Sequence, residues 1–284
     1  MALEKWLVSE PKVIDLDLVR SVKISLIGGK IDIIGHDEPG ARVEVHSVSG
    51  KDLKVQIDGD HLEIDHPQLR WDNFIDVFAS FRGTAKTDVS LLVPREVALK
   101  FGVVSASALI SGLTSSVKIN SVNGDVVIDG VTGDLEINTV NGEISVSDHR
   151  GDVSAKTVSG DITVSGEVAK FSADGVAANV FVDLDGTVDT IDNNTVSGGF
   201  TVRFDDTLGA RYNVNTVSGV LSLDGSVFRG IYGKGKNFTT GSLNGRFAEV
   251  HANSVAGDIT AVRRSAAAQA YENPAYETPA EATA

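Results

Sequence analysis

The sequence predicts an all-β protein that folds as a single-chain β-solenoid, a stack of coils of the parallel β-helix type. The first observation is a repeat of about 18 residues through the centre of the chain. The second is a set of glycines about nine residues apart within it. The third is the alternation of apolar and polar residues between those glycines, which is typical of strands buried on one face. A short fixed period of this kind is typical of a solenoid.

Each nine-residue unit is predicted to be a glycine turn followed by one short strand, such as the strand that carries Val126 and Ile128. Two units then make one coil, and its inward side chains stack on the coil before it. On this basis Val122, Val140 and Val158 are expected to lie one above another in a dry core. The predicted structural turns are Gly124, Gly133, Gly142, Gly151, Gly160, Gly198, Gly219 and Gly257.

The chain divides into four predicted segments. Residues 1–20 form an opening segment, 21–100 form irregular N-terminal β coils, 101–264 form the regular solenoid and 265–284 form an acidic tail rich in Pro and Ala. The tail has few large aliphatic side chains and is therefore predicted to be disordered. Its two Tyr-Glu-x-Pro copies are a further candidate docking segment. An aromatic cap is predicted from the cluster of Pro67, Trp71, Phe74, Phe78 and Phe81.

Composition limits the classes of function. The 284 residues carry a formal net charge of -14, which argues against nucleic acid and anionic lipid as general partners. The absence of cysteine excludes disulfides and thiolate metal sites. No apolar run is long enough to span a membrane, and the first residues do not read as a secretory signal. A cytoplasmic protein is predicted, which a partner could hold at the membrane surface.

A turn motif, [Ser/Thr]-Val-[Asn/Ser]-Gly-[Asp/Glu]-[Val/Ile]-x-[Val/Ile], occurs at 121–128, 139–146 and 157–164. It resembles the bacterial DUF4097 family, also called the putative-adhesin or Toastrack β-strand repeat family. The resemblance extends from about Val22 to Val262. It implies a β-solenoid linked to the cell envelope, and it brings no established catalytic residues to this chain.

Several acidic residues are candidate metal ligands. Asp125, Glu143 and Asp161 are expected to form one column at intervals of about 4.8 Å. They are weak candidates for calcium, and a solvated ladder is the other interpretation. His61, Glu63 and Asp65, with His66 beside them, form either a metal site or an outward polar face. No cofactor is predicted.

Two further patterns have both a structural and a binding interpretation. The segment from Gly230 to Asn237 approaches a phosphate-binding loop, but Asn237 replaces the Ser or Thr that would hold magnesium, and a surface hairpin is predicted. Polar rows can form cross-strand hydrogen bonds or offer a surface to a glycan. These rows are Ser121, Thr139 and Thr157, and Asn123 with Asn141.

The predicted function is a non-catalytic structural or binding module, an adhesin-like or envelope-associated scaffold. It would present a repetitive acidic surface to a protein or glycan partner, or associate with itself through the open edges of the solenoid. No nucleophile elbow or Cys-His pair predicts an enzyme. The alternatives are a polysaccharide-acting enzyme on the flank of the solenoid, which rests on fold analogy, and a weak calcium-binding β-roll.

Overall fold

The computed structural model describes residues 3–66 and 85–264. The predicted aromatic cap and the predicted disordered tail lie outside the described residues. The described part is built from strands and contains no helix, so none of its segments is a helix that could cross a membrane. The prediction of an all-β solenoid is confirmed.

The central stack has two parallel sheets that face each other across the core, and we call them the long face and the short face. In spatial order, the long face contains β9 (Val117–Asn123), β11 (Leu135–Asn141), β13 (Val153–Ser159), β15 (Lys170–Ala177), β17 (Thr190–Ser197), β23 (Phe247–Ala256) and β19 (Gly209–Ser218). The short face contains β10 (Val126–Asp129), β12 (Ile144–Arg150), β14 (Ile162–Glu167), β16 (Val180–Leu184), β18 (Phe200–Asp205), β24 (Ile259–Arg264) and β20 (Leu221–Leu223).

The coil length follows from the strand register. Val126 pairs with Ile144, which pairs with Ile162, so consecutive coils are offset by the predicted 18 residues. Ile128 and Val146, two positions further along, are also buried. Burial of each such side chain contributes roughly 1.5–3 kcal/mol to the free energy of unfolding. This stacked core holds the two faces together.

The N-terminal part joins both faces to antiparallel strands. It contains β1 (Glu4–Val8), β2 (Lys12–Leu16), β3 (Ser21–His36), β4 (Ala41–Ser49), β5 (Leu53–Asp58), β6 (His61–Asp65), β7 (Lys86–Pro94) and β8 (Ala98–Ser111). β3 runs through both faces and pairs in parallel with β8 from Ser21 onward, so parallel stacking begins well before residue 101. The opening residues form β1 and β2, which are antiparallel to β5 and β4.

The C-terminal coils do not stack in chain order. β23 and β24 form the last coil of the described chain, yet they lie between β17–β18 on one side and β19–β20 on the other. β20 and β21 (Ser226–Phe228) form an antiparallel hairpin, and β22 (Lys236–Thr240) pairs antiparallel with β19. The segment from Gly230 to Asn237 therefore links β21 to β22 and includes the first two residues of β22, and the two strands cover the edge of the outermost coil.

The turn glycines permit close contact between coils. Gly124, Gly142 and Gly160 have φ values of 124°, 136° and 121°, which L side chains rarely adopt. Gly219 and Gly257 do not have a positive φ, and their constraint is a different one. An added Cβ would lie 2.1 Å from the Gly257 carbonyl oxygen at Gly219 and 2.0 Å from that of Gly198 at Gly257.

His66 is a buried histidine where the N-terminal strands meet. Its Nδ1 accepts a hydrogen bond from the backbone N–H of Ile27 at 3.2 Å, so the ring proton lies on Nε2 and is donated to Thr87 Oγ1 at 3.2 Å. Burial, with a smaller contribution from Lys51, lowers the pKa of His66 to about 4. Between about pH 6.5 and pH 4, the His66 ring is therefore neutral in the folded state, whereas it binds a proton in the unfolded chain.

We expect the free energy of unfolding to fall as the pH is lowered from about 6.5 towards 4, with a loss of about 2 kcal/mol already at pH 5. The loss follows because only the unfolded chain gains the proton in this range. Urea denaturation at pH 7 and pH 5 measures it. Equal stability at the two pH values would contradict a buried neutral His66.

His149 is buried at a corner of the coil, and the bridge between Arg150 and Thr132 makes buried Val131 its equivalent in the preceding coil. The backbone of Val131 and Asp152 lies near its ring, yet neither ring nitrogen completes a hydrogen bond within the described residues. Burial lowers the pKa of His149, so the neutral form is favoured.

His149→Val is expected to raise the free energy of unfolding by about 1–2 kcal/mol, because it removes a buried polar ring that completes no hydrogen bond with the described part of the chain. The reverse change in the preceding coil, Val131→His, is the matched control and is expected to destabilise the protein. Chemical denaturation at pH 7 compares the two variants with the wild type. A less stable His149→Val variant would show that the imidazole contributes contacts that valine cannot replace.

Candidate functional site

The valine column is the first feature of the long face. Thr139 pairs with Thr157 and Asn141 with Ser159, so Val140 and Val158 do lie one above the other, as predicted. Val140 and Val158 are nevertheless 46% and 49% exposed, so the expected dry core is wrong at these two positions, whereas Val122 is buried. The physical reason is parity, because Ile137 and Thr139 face inward and Val140 must then face out. Further half-exposed valines continue the column at Val176, Val196, Val255 and Val217.

The hydroxyl row lies on the other side of the sheet. Ser121, Thr139 and Thr157 are buried, so a glycan cannot reach the row that the sequence offered for it. Asn141 Nδ2 does donate to Asn123 Oδ1 at 3.1 Å, which is the expected cross-strand hydrogen bond.

A column of amide side chains lies beside the valines and was not singled out from the sequence. Asn138 Nδ2 donates to Asn120 Oδ1 at 3.2 Å, Asn194 Nδ2 to Asp174 Oδ1 at 3.1 Å, and Asn253 Nδ2 to Asn194 Oδ1 at 3.0 Å. Strict alternation counted from the buried apolar residues of each strand would have located it, since each asparagine directly follows a buried residue. These bonds orient the amides in two groups, which Lys156 of β13 separates at the same position of the stack.

The amide and valine columns border a shallow groove of about 520 Å³. We call this surface the amide–valine strip. It consists of Asp174, Asn194, Asn253 and Asn215 in one column and Val176, Val196, Val255 and Val217 in the other. Four coils contribute to it, so it is about 14 Å long at the usual strand spacing.

A second and larger groove, of about 980 Å³, lies along the opposite margin of the long face. We call it the charged groove. Strands from β6 and β3 to β17 line it, which corresponds to about 34 Å of the stack. Its charged side chains are four lysines and four acids, namely Lys100, Lys118, Lys156, Lys170, Asp134, Glu136, Asp152 and Asp192. The groove is therefore formally neutral in a chain of net charge -14.

Two of the acids in the charged groove are engaged by lysines. Lys118 Nζ contacts Glu136 Oε1 at 2.7 Å, and Lys170 Nζ lies 4.0 Å from Asp152 Oδ2. Hydrogen bonds from Lys118 and Asn138 lower the pKa of Glu136, so this carboxylate stays ionised at neutral pH. These contacts orient the rims of the groove and leave Glu136 unsuited to act as a general acid.

The predicted acidic column has a backbone role. Asp125 Oδ1 accepts the backbone N–H of Glu143 at 3.0 Å, and Asp161 Oδ1 accepts that of Asn179 at 3.2 Å. Each carboxylate thus satisfies an amide in the turn of the next coil. Within residues 3–66 and 85–264, no three His, Asp or Glu side chains form a group suited to a metal ion.

The polar face of β6 is also occupied by protein contacts. His61 Nδ1 lies 2.8 Å from Ser21 Oγ, Lys23 Nζ lies 2.8 Å from Glu63 Oε1, and Lys54 Nζ lies 2.9 Å from Asp65 Oδ2. His66 is buried on the far side of the strand. The four residues therefore do not converge on one point.

Stacked parallel coils with two elongated grooves on one face define a β-solenoid of the strand-repeat class. Residues 109–219 match the family described as Toastrack DUF4097, which confirms the resemblance carried by the turn motif. No curated protein matches the sequence.

Solved structures with a similar strand arrangement include three bacterial proteins. A putative adhesin from Parabacteroides distasonis is 12% identical, with 89% of this chain and 98% of that chain covered and a TM-score of 0.39. A putative adhesin from Bacteroides fragilis is 11% identical, with 89% and 97% covered and a TM-score of 0.38. A putative lipid binding protein from Parabacteroides distasonis is 12% identical, with 90% and 96% covered and a TM-score of 0.37.

Proposed function

We propose that the chain is a non-catalytic binding module, an adhesin-like or envelope-associated scaffold that engages its partner through the long face. The observation that carries this proposal is the concentration of both grooves on that one face, at either margin of an ordered amide column. A rigid stack places these side chains at fixed spacing before any partner arrives, which lowers the entropy cost of binding. The cytoplasmic location stays a prediction.

The chemistry of the charged groove supports binding more than hydrolysis. A glycoside hydrolase needs one carboxyl group as acid and a second as base or nucleophile across the scissile bond. In this groove Glu136 and Asp152 instead face lysines, and the remaining acids are spread along the stack. A long surface of alternating charge suits an extended partner that lies along it.

The proposal is tested with a variant that fills the charged groove without touching the core. Ser154 and Ser172 point outward from β13 and β15 and line the groove. The double change Ser154→Arg/Ser172→Arg should abolish binding of the labelled protein to an envelope fraction from the cells that produce it. The protein's own fold should be unaffected, because neither side chain is in the core.

The matched control places the same charges nine residues later in the same coils, on the short face. Thr163→Arg/Phe181→Arg should bind the fraction as the wild type does. Sedimentation of the labelled protein with the fraction measures both. Equal loss in the two variants would indicate a charge effect and would reject the long face as the contact surface.

A further inference from the structure

We propose that the amide–valine strip, together with Tyr232 at its end, binds a short neutral oligosaccharide. This inference rests on the proposed function, since the strip belongs to the long face. It names one chemical class of partner, a ligand that offers hydroxyl groups along one edge and C–H groups along another.

The amide column has hydrogen-bonding capacity left after its internal bonds are made. Asn194 donates one N–H to Asp174 and accepts one bond from Asn253, so its second N–H and second acceptor position are uncommitted. Asn253 keeps one N–H and its carbonyl oxygen. Both side chains belong to exposed residues, and their orientation is fixed by the neighbouring coils. Such pairs of donor and acceptor match sugar hydroxyls, which can both donate and accept a hydrogen bond.

The valine column supplies the apolar half of the contact. Val176, Val196 and Val255 are each about half exposed and lie directly beside the amides. A contiguous exposed apolar row on an ordered scaffold is typical of an interaction site. The row is only one residue wide, which is too narrow for a stable contact between two protein copies of about 800 Å² per partner.

Tyr232 is placed at the end of the strip by an unusual backbone. The backbone N–H of Gly233 donates to the Thr216 carbonyl at 3.1 Å, which fixes the loop beside Val217. Tyr232 itself has a φ of 50° and is 78% exposed. An aromatic residue at positive φ costs stability, and an exposed ring gains little by burial in return. An exposed ring in a loop that is held beside Val217 can pack against the C–H face of a sugar.

Charge and backbone pairing favour a neutral glycan over other partners. The strip contains one charged side chain, Asp174, so its own residues offer an anionic ligand no cationic partner. An extended peptide could not add to the sheet, because β17 and β23 are paired on both sides.

The test is isothermal titration calorimetry of the full chain with cello-, xylo-, manno- and chito-oligosaccharides of about six sugars, with oligogalacturonate as the anionic arm. Tyr232→Asn is the informative variant, because asparagine tolerates positive φ and removes only the ring. We expect it, and Asn253→Ala, each to weaken binding of the preferred neutral sugar about tenfold. Phe181→Ala removes an exposed ring from the short face and should bind normally.

Binding of a neutral sugar that changes little between low and high salt, and that is lost in Tyr232→Asn, would support the inference. Absence of binding by every neutral sugar would overturn it, as would an unchanged affinity in Tyr232→Asn or a preference for oligogalacturonate. If no sugar binds while Ser154→Arg/Ser172→Arg still abolishes envelope binding, the inference fails and the proposed function stands. Normal envelope binding by that variant would count against the proposed function instead.

Discussion

Gly142→Ala is expected to lower the free energy of unfolding by about 3 kcal/mol or more. Gly142 has a φ of 136°, and a Cβ at this position would lie 2.4 Å from the carbonyl oxygen of Gly124 in the coil below. An L side chain at positive φ costs roughly 1–2 kcal/mol by itself. The contact with backbone adds to this cost, because the neighbouring coil cannot move without breaking its own ladder of hydrogen bonds.

Gly130→Ala is the control for conformational strain alone. Gly130 has a φ of 60°, yet an added Cβ there would meet nothing within 4 Å. It should therefore lose only about 1–2 kcal/mol. Urea denaturation of both variants separates the two costs. Equal losses would mean that the coils have room for a methyl group and that close approach does not explain the glycine column.

Arg264→Met is expected to lower the free energy of unfolding by about 3–5 kcal/mol. Its side chain is 11% exposed and reaches two neighbouring coils, where Nη2 contacts Asp205 Oδ1 in β18 at 3.0 Å and Nη1 contacts Asp183 Oδ1 in β16 at 2.9 Å. It also donates to the Leu184 carbonyl at 3.0 Å. Removal would leave these carboxylates close together with less positive charge beside them, although Arg203 still contacts Asp183.

Arg264→Met should also loosen the last coil itself, in addition to lowering the stability of the whole protein. The adjacent Arg263 reaches the opposite coil, where its Nε contacts Asp224 Oδ2 at 2.9 Å, so the two arginines fasten the inserted last coil on both sides. Faster amide exchange in β23 and β24 is therefore expected in Arg264→Met. Arg246→Met is the control, because that side chain is 66% exposed and contacts Asp189 at the surface, a pair worth under about 1 kcal/mol. Similar losses in both variants would remove the special role of Arg264.

Much of the fold could be predicted because each repeat is defined by residues that are close together in the sequence. A glycine column, an 18-residue period and alternating polarity specify parallel stacking. The side of the sheet that each residue faces was harder to predict, because Thr139 and Val140 are adjacent and either could face inward by residue type. Counting from buried Ile137 settles the choice and moves the polar row of the long face from the hydroxyls to the amides. The candidate site was missed for that reason.

The sequence by itself determined the period, the turns and the class of fold, since each follows from a residue and its near neighbours. Only the tertiary structure decided the order of the last coils. The turn motifs at 195–198, 216–219 and 254–257 are nearly identical, so local pairing energies would allow coil 209–223 to stack directly on coil 190–205. Insertion of 247–264 between them brings Arg263 to Asp224 and Arg264 to Asp183, in coils about 40 and 80 residues away in sequence, and no local pattern encodes such contacts.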